Sequence, residues 1–243
     1  MPLLKEKIAT SIVFTAIETD DGITGYGLTR GAQRFGLKEF INREAGPFLR
    51  GKNPLESERI WNQLCKQFNP RAQTGMWSSA VSAIDIALWD IKGKHYREPV
   101  WRLLGGAQNP VQAYVTFGLK QYEKDQLVEV AKQLVERGET RLKMVVAVDP
   151  ENPKLDAERV RAVREAVGDQ AELMIDANYL FSLNRALELC KLVEPYGITW
   201  FEEPVYQNDA KLLADLRRHT DIPLAAGQNE GHRFRHRELI VNH

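Results

Sequence analysis

The sequence predicts an α/β fold whose second half is part of a parallel barrel, and two observations carry this prediction. From residue 112 onward, short apolar strands alternate with amphipathic helices, which is typical of parallel strands joined by right-handed crossovers. Polar residues also recur at the ends of successive predicted strands. Periodicity alone does not separate a barrel from an open doubly wound sheet, but this recurrence favours the barrel, whose active sites lie at that face.

The first third of the chain mixes sheet and helix signals. β-Branched and aromatic residues at 11–19, turn chemistry at 20–22 and a second run at 23–27 predict a hairpin. Helical patterns follow at 37–49 and 55–68. After a loop at 68–75, a long apolar helix is predicted, with Ser78 or Ser79 as its N-cap.

The remainder alternates regularly. The predicted order is strand 112–117, helix 122–136, strand 141–148, helix 156–167, strand 172–175, helix 183–192, strand 198–201, helix 209–218, strand 223–226 and a last helix from about residue 230. The order contains five predicted strands, which we take as at most four complete strand and helix repeats, whereas a closed barrel of this kind needs eight. We therefore expect a half barrel.

Composition excludes several classes of protein. The 243 residues are 43% hydrophobic and carry no formal net charge, so we expect a folded protein that does not bind nucleic acid. Neither a signal peptide nor a stretch of about 18 apolar residues is evident, which predicts a cytoplasmic protein without a membrane partner. Cys65 and Cys190 are predicted to be buried free thiols.

Four polar residues at the ends of predicted strands are the candidates for chemistry: Lys143, Asp176, Glu202 and Gln228. The steps from Asp176 to Glu202 and from Glu202 to Gln228 are both 26 residues, about one strand plus one returning helix. Carboxylates on neighbouring strand ends suit a hard cation such as Mg²⁺. The alternative is that Asp176 caps the following turn and that Glu202 is solvated.

Lys143 lies in an otherwise apolar predicted strand. An ammonium among apolar groups and near a cation loses part of its preference for being charged, so we expect its pKa to fall toward the range of a general base. The alternative is that the side chain extends to solvent.

Six segments along the chain share the sequence pattern of one enzyme family. They are Thr19-Asp-Asp-Gly-Ile-Thr-Gly-Tyr-Gly27, Ser82-Ala-Ile-Asp-Ile-Ala-Leu-Trp-Asp-Ile-Lys-Gly-Lys94, Leu103-Leu-Gly-Gly106, Asp176-Ala-Asn178, Phe201-Glu-Glu-Pro204 and Ala226-Gly-Gln-Asn229. In this order they resemble the mandelate racemase and muconate lactonizing enzyme family of the enolase superfamily. The resemblance implies an enolase-like α+β capping domain at residues 1–108, without its first strand, and the first four βα units of a modified TIM barrel at residues 109–243.

The resemblance also implies a reaction. Members use Mg²⁺ to remove the proton α to a carboxylate, which leads to racemization, cycloisomerization or dehydration of a hydroxy acid or sugar acid. By resemblance, the metal ligands are Asp176, Glu202 and Gln228. Lys143 falls in the catalytic lysine motif. The residues implied beside the ligands or the substrate are Asn178 and Asn229.

The chain departs from the family pattern at two positions. The third ligand is normally a glutamate, and Gln228 removes one negative charge, so we expect weaker Mg²⁺ binding. Glu230 is an alternative ligand if the strand continues. The family's second lysine is replaced by Val145, unless the register slips by two residues and Arg141 and Lys143 form the pair.

Both ends look truncated relative to the family, and Leu3, Leu4 and the loop at 68–75 are expected in substrate-covering segments. We expect a small carboxylate substrate and a homo-oligomer. A second hypothesis is a catalytically impaired or non-catalytic fragment that acts as a structural or interaction protein. A third is an unrelated phosphate-binding α/β protein, although the chain contains no glycine-rich phosphate loop.

Overall fold

The computed structural model describes residues 10–68, 74–107 and 110–242. Leu3, Leu4 and most of the predicted loop at 68–75 lie outside these ranges. The chain divides into two compact units. We call them the hairpin unit, with residues 10–68, 74–107, 110–111 and 231–233, and the sheet unit, with residues 112–230 and 234–242.

The hairpin unit begins with two antiparallel strands, as the sequence predicts. Its elements are β1 (Ile12–Glu18), β2 (Thr24–Arg30), α1 (Arg34–Phe40), a π-helical segment (Ile41–Ala45), α2 (Gly46–Leu49), α3 (Ser57–Gln67), α4 (Gly75–Tyr96) and α5 (Val100–Leu103). The predicted serine cap is wrong. Helix α4 follows Thr74 and begins at Gly75, so Ser78 and Ser79 lie inside the helix.

Strand β2 packs directly on the backbone of α4. A Cβ atom on Gly27 would collide with the carbonyl oxygen of Ala83, and one on Gly25 would collide with that of Ala87. Glycine in the strand and alanine in the helix therefore set a separation that no larger pair of side chains permits. Below this contact lies a core of buried residues: Ala45, Ile60, Leu64, Cys65, Trp77, Val81, Ile84, Leu88 and Ile91.

The sheet unit contains one parallel sheet with the strand order β3-β4-β5-β6-β7. Its elements are β3 (Val115–Phe117), α6 (Lys124–Glu136), β4 (Arg141–Val145), α7 (Pro153–Val167), β5 (Glu172–Asp176), α8 (Leu183–Val193), β6 (Ile198–Glu202), α9 (Ala210–Arg217) and β7 (Leu224–Ala225). Helix α10 (Arg233–Val241) follows, and all of it after Arg233 belongs to this unit. The predicted alternation and parallel pairing are confirmed, but the sheet in the described residues has five strands, one more than the four βα units that the resemblance implied.

Alternate residues of the strands face the helices and form the main core. Leu142 and Met144 of β4, Leu173 and Ile175 of β5 and Phe201 of β6 belong to this core. Since neighbouring side chains of a strand point to opposite faces, the residues between them lie on the other face. That second face carries the candidate residues.

Three predicted strands are too long at one end or both. β4 stops at Val145, before Ala147 takes a left-handed conformation with φ 58°. β7 has only two residues, because Pro223 precedes it and Gly227 follows with φ 128°. β3 starts at Val115 rather than at residue 112. The strands are therefore longest in the middle of the sheet and shortest at its two edges.

Both cysteines are buried free thiols, as predicted. Burial raises the pKa of the Cys190 thiol to about 11, so this group stays protonated at neutral pH. Within the described ranges, no helix is long and apolar enough to cross a membrane.

Candidate active site

The register of the sheet places the predicted carboxylates side by side. Asp176 is the last residue of β5 and pairs with Glu202, the last residue of β6. On the other side of β5, Asp176 pairs with Val145 of β4. Because these strands are parallel, their carboxyl ends lie at one rim of the sheet, which is where barrel enzymes hold their reacting groups.

Lys143 joins the two carboxylates. Its Nζ lies 3.0 Å from Oδ2 of Asp176 and 2.7 Å from Oε2 of Glu202. All three residues are buried, with exposed fractions of 4%, 3% and 9% for Lys143, Asp176 and Glu202. Glu202 is therefore not solvated, and Lys143 does not extend to solvent. The alternatives of a solvated Glu202 and a solvent-directed Lys143 are wrong, whereas Asp176 does cap the following turn, since it accepts the backbone N–H of Asn178 at 2.9 Å.

The expectation that the pKa of Lys143 is lowered is also wrong for this structure. Burial disfavours the charged ammonium, but hydrogen bonds and charge interactions with Glu202 and Asp176 outweigh that effect and raise its pKa. The expectation was based on the apolar strand and a nearby cation. It did not include direct contacts between the ammonium and the two carboxylates. Lys143 is thus a protonated cation between two anions.

An aromatic wall borders this cluster, and the sequence analysis did not identify it. Nε1 of Trp200 donates to Oε2 of Glu202 at 3.4 Å. Nζ of Lys143 lies 5.0 Å from the ring centroid of Tyr114, and the rings of Tyr114 and Trp200 meet edge to face at 5.5 Å. Trp200 could have been found from the sequence, because it precedes Glu202 by two positions in a strand and so shares its face.

The backbone at this rim adopts left-handed conformations just after the strands. Ala147, Asn178, Tyr179 and Glu203 have φ values of 58°, 47°, 53° and 44°. At Asn178 the conformation lets the backbone N–H donate to Oδ1 of Asp176 at 2.9 Å, which fixes the carboxylate. Non-glycine residues with positive φ carry strain, and such strain concentrates at functional sites.

Glu203 is a third carboxylate at the rim, and no role for it was predicted from the sequence. It is fully buried, and Oε1 accepts a hydrogen bond from Nδ2 of Asn208 at 2.9 Å. Asn229 donates to it twice, from the backbone N–H to Oε1 at 3.3 Å and from Nδ2 to Oε2 at 2.8 Å. Asn229 therefore ties the turn after β7 to the end of β6 through Glu203.

The third predicted ligand lies in that same turn. Gln228 is exposed, and no hydrogen bond joins it to Lys143, Asp176 or Glu202, all of which the structure describes. The strand does not continue to Glu230, whose side chain pairs with Arg235 at 2.7 Å, so the premise of the Glu230 alternative is wrong. Within residues 10–68, 74–107 and 110–242, no three His, Cys, Asp or Glu side chains form a group that could hold a metal ion.

The sequence left two alignments of the lysine motif open, Lys143 with Val145 or Arg141 with Lys143, and only the second gives Arg141 a role at the site. Arg141 begins β4 and pairs with Glu172 at 3.1 Å, at the opposite end of the strand from the rim. Val145 shares the face of Lys143 by strand alternation and stands beside Asp176. The position next along this face from Lys143 is therefore apolar.

A buried acid supports the loop that follows β4. Asp156 of α7 accepts the backbone N–H groups of Ala147 at 3.0 Å and Val148 at 3.4 Å. Burial raises the pKa of Asp156 to about 6, although these hydrogen bonds and the charge of Arg159 act in the opposite direction. Asp156 could not be identified from the sequence, since nothing in a helical pattern distinguishes it from a surface acid.

The donor set fits a magnesium ion in part. Asp176 and Glu202 direct oxygen atoms toward one cation, as Mg²⁺ requires of the few carboxylates that bind it. Gln228 carries a neutral amide oxygen on an exposed side chain. The cation that the two carboxylates meet in this structure is the ammonium of Lys143.

Comparison with known proteins agrees with this geometry. Residues 5–105 match the N-terminal domain of the mandelate racemase / muconate lactonizing enzyme family, and residues 126–243 match the enolase C-terminal domain-like family. This chain belongs to the mandelate racemase / muconate lactonizing enzyme family. Its parallel sheet with covering helices is part of the TIM barrel found in enolase-superfamily enzymes.

Relatives within the family include a cycloisomerase of a sugar-acid lactone and a dehydratase of a sugar acid. The chain is 36% identical to a D-galactarolactone cycloisomerase from Agrobacterium fabrum, over 89% of this chain and 57% of the relative. It is 32% identical to an arabinonate dehydratase from Saccharolobus solfataricus, over 94% of this chain and 62% of the relative.

A solved structure gives the same picture. An L-talarate dehydratase from Polaromonas sp. JS666, complexed with Mg and L-glucarate, is 33% identical with a TM-score of 0.86, over 96% of this chain and 65% of that chain. The chain thus spans less than two thirds of the length of these relatives.

Proposed function

We propose that this chain carries part of a Mg²⁺-dependent site that removes the proton α to a carboxylate of a hydroxy acid or sugar acid, leading to dehydration or racemization. The observation that carries the proposal is the convergence of Asp176 and Glu202 on one cation from neighbouring strand ends. The named activities of the relatives support the substrate class.

Asp176 and Glu202 would hold the ion, and the amide of Gln228 would be a third, weaker ligand. A bound Mg²⁺ supplies charge neutralisation for a carboxylate whose α-proton is leaving. Asn178 keeps one oxygen of Asp176 directed into the rim through its backbone N–H. Asn229 acts one step further away, because it holds Glu203 beside Glu202.

Lys143 is our candidate for the proton-transfer group. Its raised pKa means that Nζ holds a proton, so the side chain is a donor in the arrangement described here. To accept a proton, it must first move away from the two carboxylates that stabilise its charge. The rings of Tyr114 and Trp200 border one side of the cluster.

The test is exchange of the α-proton in heavy water across a panel of sugar acids, with and without Mg²⁺. We expect metal-dependent exchange that is lost in Asp176→Asn and Glu202→Gln. Glu172→Gln is the matched control, because it removes a carboxylate from the opposite end of the sheet. Exchange that is unaffected by Glu202→Gln would contradict the proposal.

The second candidate function is a non-catalytic protein that retains the family fold. Two observations favour it: Gln228 supplies no charge at the third position, and Val145 places no lysine beside Asp176. Binding of Mg²⁺ and a sugar acid without any exchange, measured by calorimetry on the same preparation, would support this function over the first.

A further inference from the structure

The ammonium of Lys143 occupies the point where the two candidate ligands meet. Of the four carboxylate oxygens of Asp176 and Glu202, three accept hydrogen bonds within the described sheet unit. Oδ1 of Asp176 accepts from Asn178, Oδ2 accepts from Lys143, and Oε2 of Glu202 accepts from Lys143 and Trp200. A cation that bridges both carboxylates needs an oxygen from each, and the two that face a common point are those held by Lys143.

The charge of Lys143, like its position, opposes binding of a divalent cation. Two carboxylates and one ammonium leave a single net negative charge at the site, and Gln228 adds none. A divalent cation at these oxygens would lie a few ångströms from a like charge in a poorly solvated place, where repulsion is weakly screened. Lys143 in its present position therefore opposes binding of such a cation.

A second resting place for the ammonium lies close by. Nζ of Lys143 is 5.0 Å from the ring centroid of Tyr114, within the range in which an aromatic face attracts a cation. Tyr114 lies just before β3 and is 41% exposed, so its ring has room to receive the side chain. The ammonium can leave the carboxylates without losing all of its stabilising contacts.

We infer that Lys143 is a built-in counter-cation that competes with a divalent cation for Asp176 and Glu202. Cation binding moves Nζ away from the two carboxylates and toward the ring of Tyr114. This inference rests on the proposed function, because it concerns the same pair of ligands. It adds that a side chain of this protein, Lys143, lowers the affinity of the site for a divalent cation.

The experiment compares the affinity of Mg²⁺ and Mn²⁺ for the wild-type chain and for Lys143→Gln by calorimetry. Removing the competing charge is expected to tighten binding by about tenfold or more. Arg141→Gln is the matched control, since it removes a positive charge from the same strand at the other end, and it is expected to change the affinity less than about twofold. Equal or weaker binding by Lys143→Gln overturns the inference.

Tyr114→Leu tests the second position of the ammonium. It is expected to weaken Mg²⁺ binding severalfold when Lys143 is present and to have no effect in the Lys143→Gln background. The same loss in both backgrounds overturns the movement toward Tyr114. If Lys143→Gln is unfolded without a divalent cation, Mg²⁺ must restore its folding, because the ion then supplies the missing positive charge; a variant that stays unfolded overturns the inference.

The outcomes separate the two proposals. If the wild-type chain binds the ion and Lys143→Gln binds it no better, the inference falls and the proposed metal site stands. If neither folded chain binds Mg²⁺ or Mn²⁺, both fall together. Tighter binding in Lys143→Gln without any α-proton exchange supports the inference and counts against the proposed reaction.

Discussion

Lys143 donates to Glu202 over 2.7 Å, and this contact links the middle of one strand to the end of a strand two places away in the sheet. Both side chains are buried, so each one offsets part of the cost of burying the charge of the other. Asp176 takes part from the strand between them. Loss of either side chain therefore leaves a buried charge without its partner and lowers the stability of the sheet.

This pairing predicts a large energetic coupling between Lys143 and Glu202. In metal-free buffer, Lys143→Gln and Glu202→Gln should each lower the free energy of unfolding by about 2–4 kcal/mol, because each leaves a buried charge with fewer partners. The double variant should lose less than the sum, by at least about 1 kcal/mol. Urea unfolding of the four proteins measures the coupling.

The control cycle uses Arg141 and Glu172, which join the same strand β4 to its neighbour β5 through a half-buried and an exposed side chain. Their coupling should stay below about 1 kcal/mol, as for other surface ion pairs. Additive effects of Lys143→Gln and Glu202→Gln would show that the two charges do not depend on each other.

Asp156 predicts a stability that falls as the pH rises. Its pKa is about 6 in the folded protein and near 3.8 when unfolded, so the folded state binds the proton more tightly. The stabilising contribution is complete below about pH 4 and is lost as the pH rises through 6, up to about 3 kcal/mol. Asp156→Asn should lack this contribution, so unfolding of the two proteins at a series of pH values should give diverging curves.

Glu158→Gln is the matched control for this prediction, because Glu158 is an exposed acid on the same helix α7. Its curve should run parallel to that of the wild type. Parallel curves for Asp156→Asn as well would mean that burial does not raise the pKa of the Asp156 carboxyl group.

The buried hydrogen bonds of Glu203 predict that this side chain stabilises the folded protein. Glu203→Gln replaces an acceptor oxygen by an amide donor that faces Asn208 or Asn229, so the free energy of unfolding should fall by about 2–3 kcal/mol. The turn that carries Gln228 should also loosen. Faster hydrogen exchange at the backbone amide of Asn229 would report this loosening.

Glu172→Gln again serves as the control, with an expected loss below about 1 kcal/mol because its partner is at the surface. A Glu203→Gln protein with wild-type stability and unchanged exchange at Asn229 would show that the buried network does not hold the turn.

The contact between β2 and α4 predicts that Gly27→Ala is strongly destabilising. The added methyl group meets the carbonyl oxygen of Ala83, which belongs to a helix backbone and cannot move aside alone. The cost should exceed about 2 kcal/mol. Gly36→Ala is the control, since its methyl group meets only the flexible side chain of Met76 and glycine is a poor helix former, so it should be neutral or stabilising. Similar unfolding free energies for both variants would refute the steric explanation.

The sequence predicted the alternation of the sheet unit and the grouping of Lys143, Asp176 and Glu202, because both follow from strand periodicity and parallel pairing. It could not predict the pKa of Lys143, which depends on distances to two carboxylates from other strands. It identified Glu202 and passed over Glu203. Adjacent strand residues point to opposite sides, and only the packing of the turn after β7 shows that Glu203 has buried donors.

Two further features could not be predicted from the sequence: the burial of Asp156 and the ends of strands β4 and β7. Asp156 looks like any acid on the polar side of a helix until the loop after β4 folds over it. The predicted ends of β4 and β7 were too late, because a strand pattern does not record where the backbone turns left-handed, as at Ala147 and Gly227.

The left-handed residues after β4, β5 and β6 have a consequence for engineering this chain. Ala147, Tyr179 and Glu203 each keep a conformation that glycine would adopt at lower energy, at a cost on the order of 1 kcal/mol or more apiece. Glycine at Ala147 or Tyr179 would relieve this cost, whereas at Glu203 it would also remove the buried acceptor of Asn208 and Asn229. The rim that holds the candidate side chains is thus also where the backbone leaves room for a more heat-resistant variant.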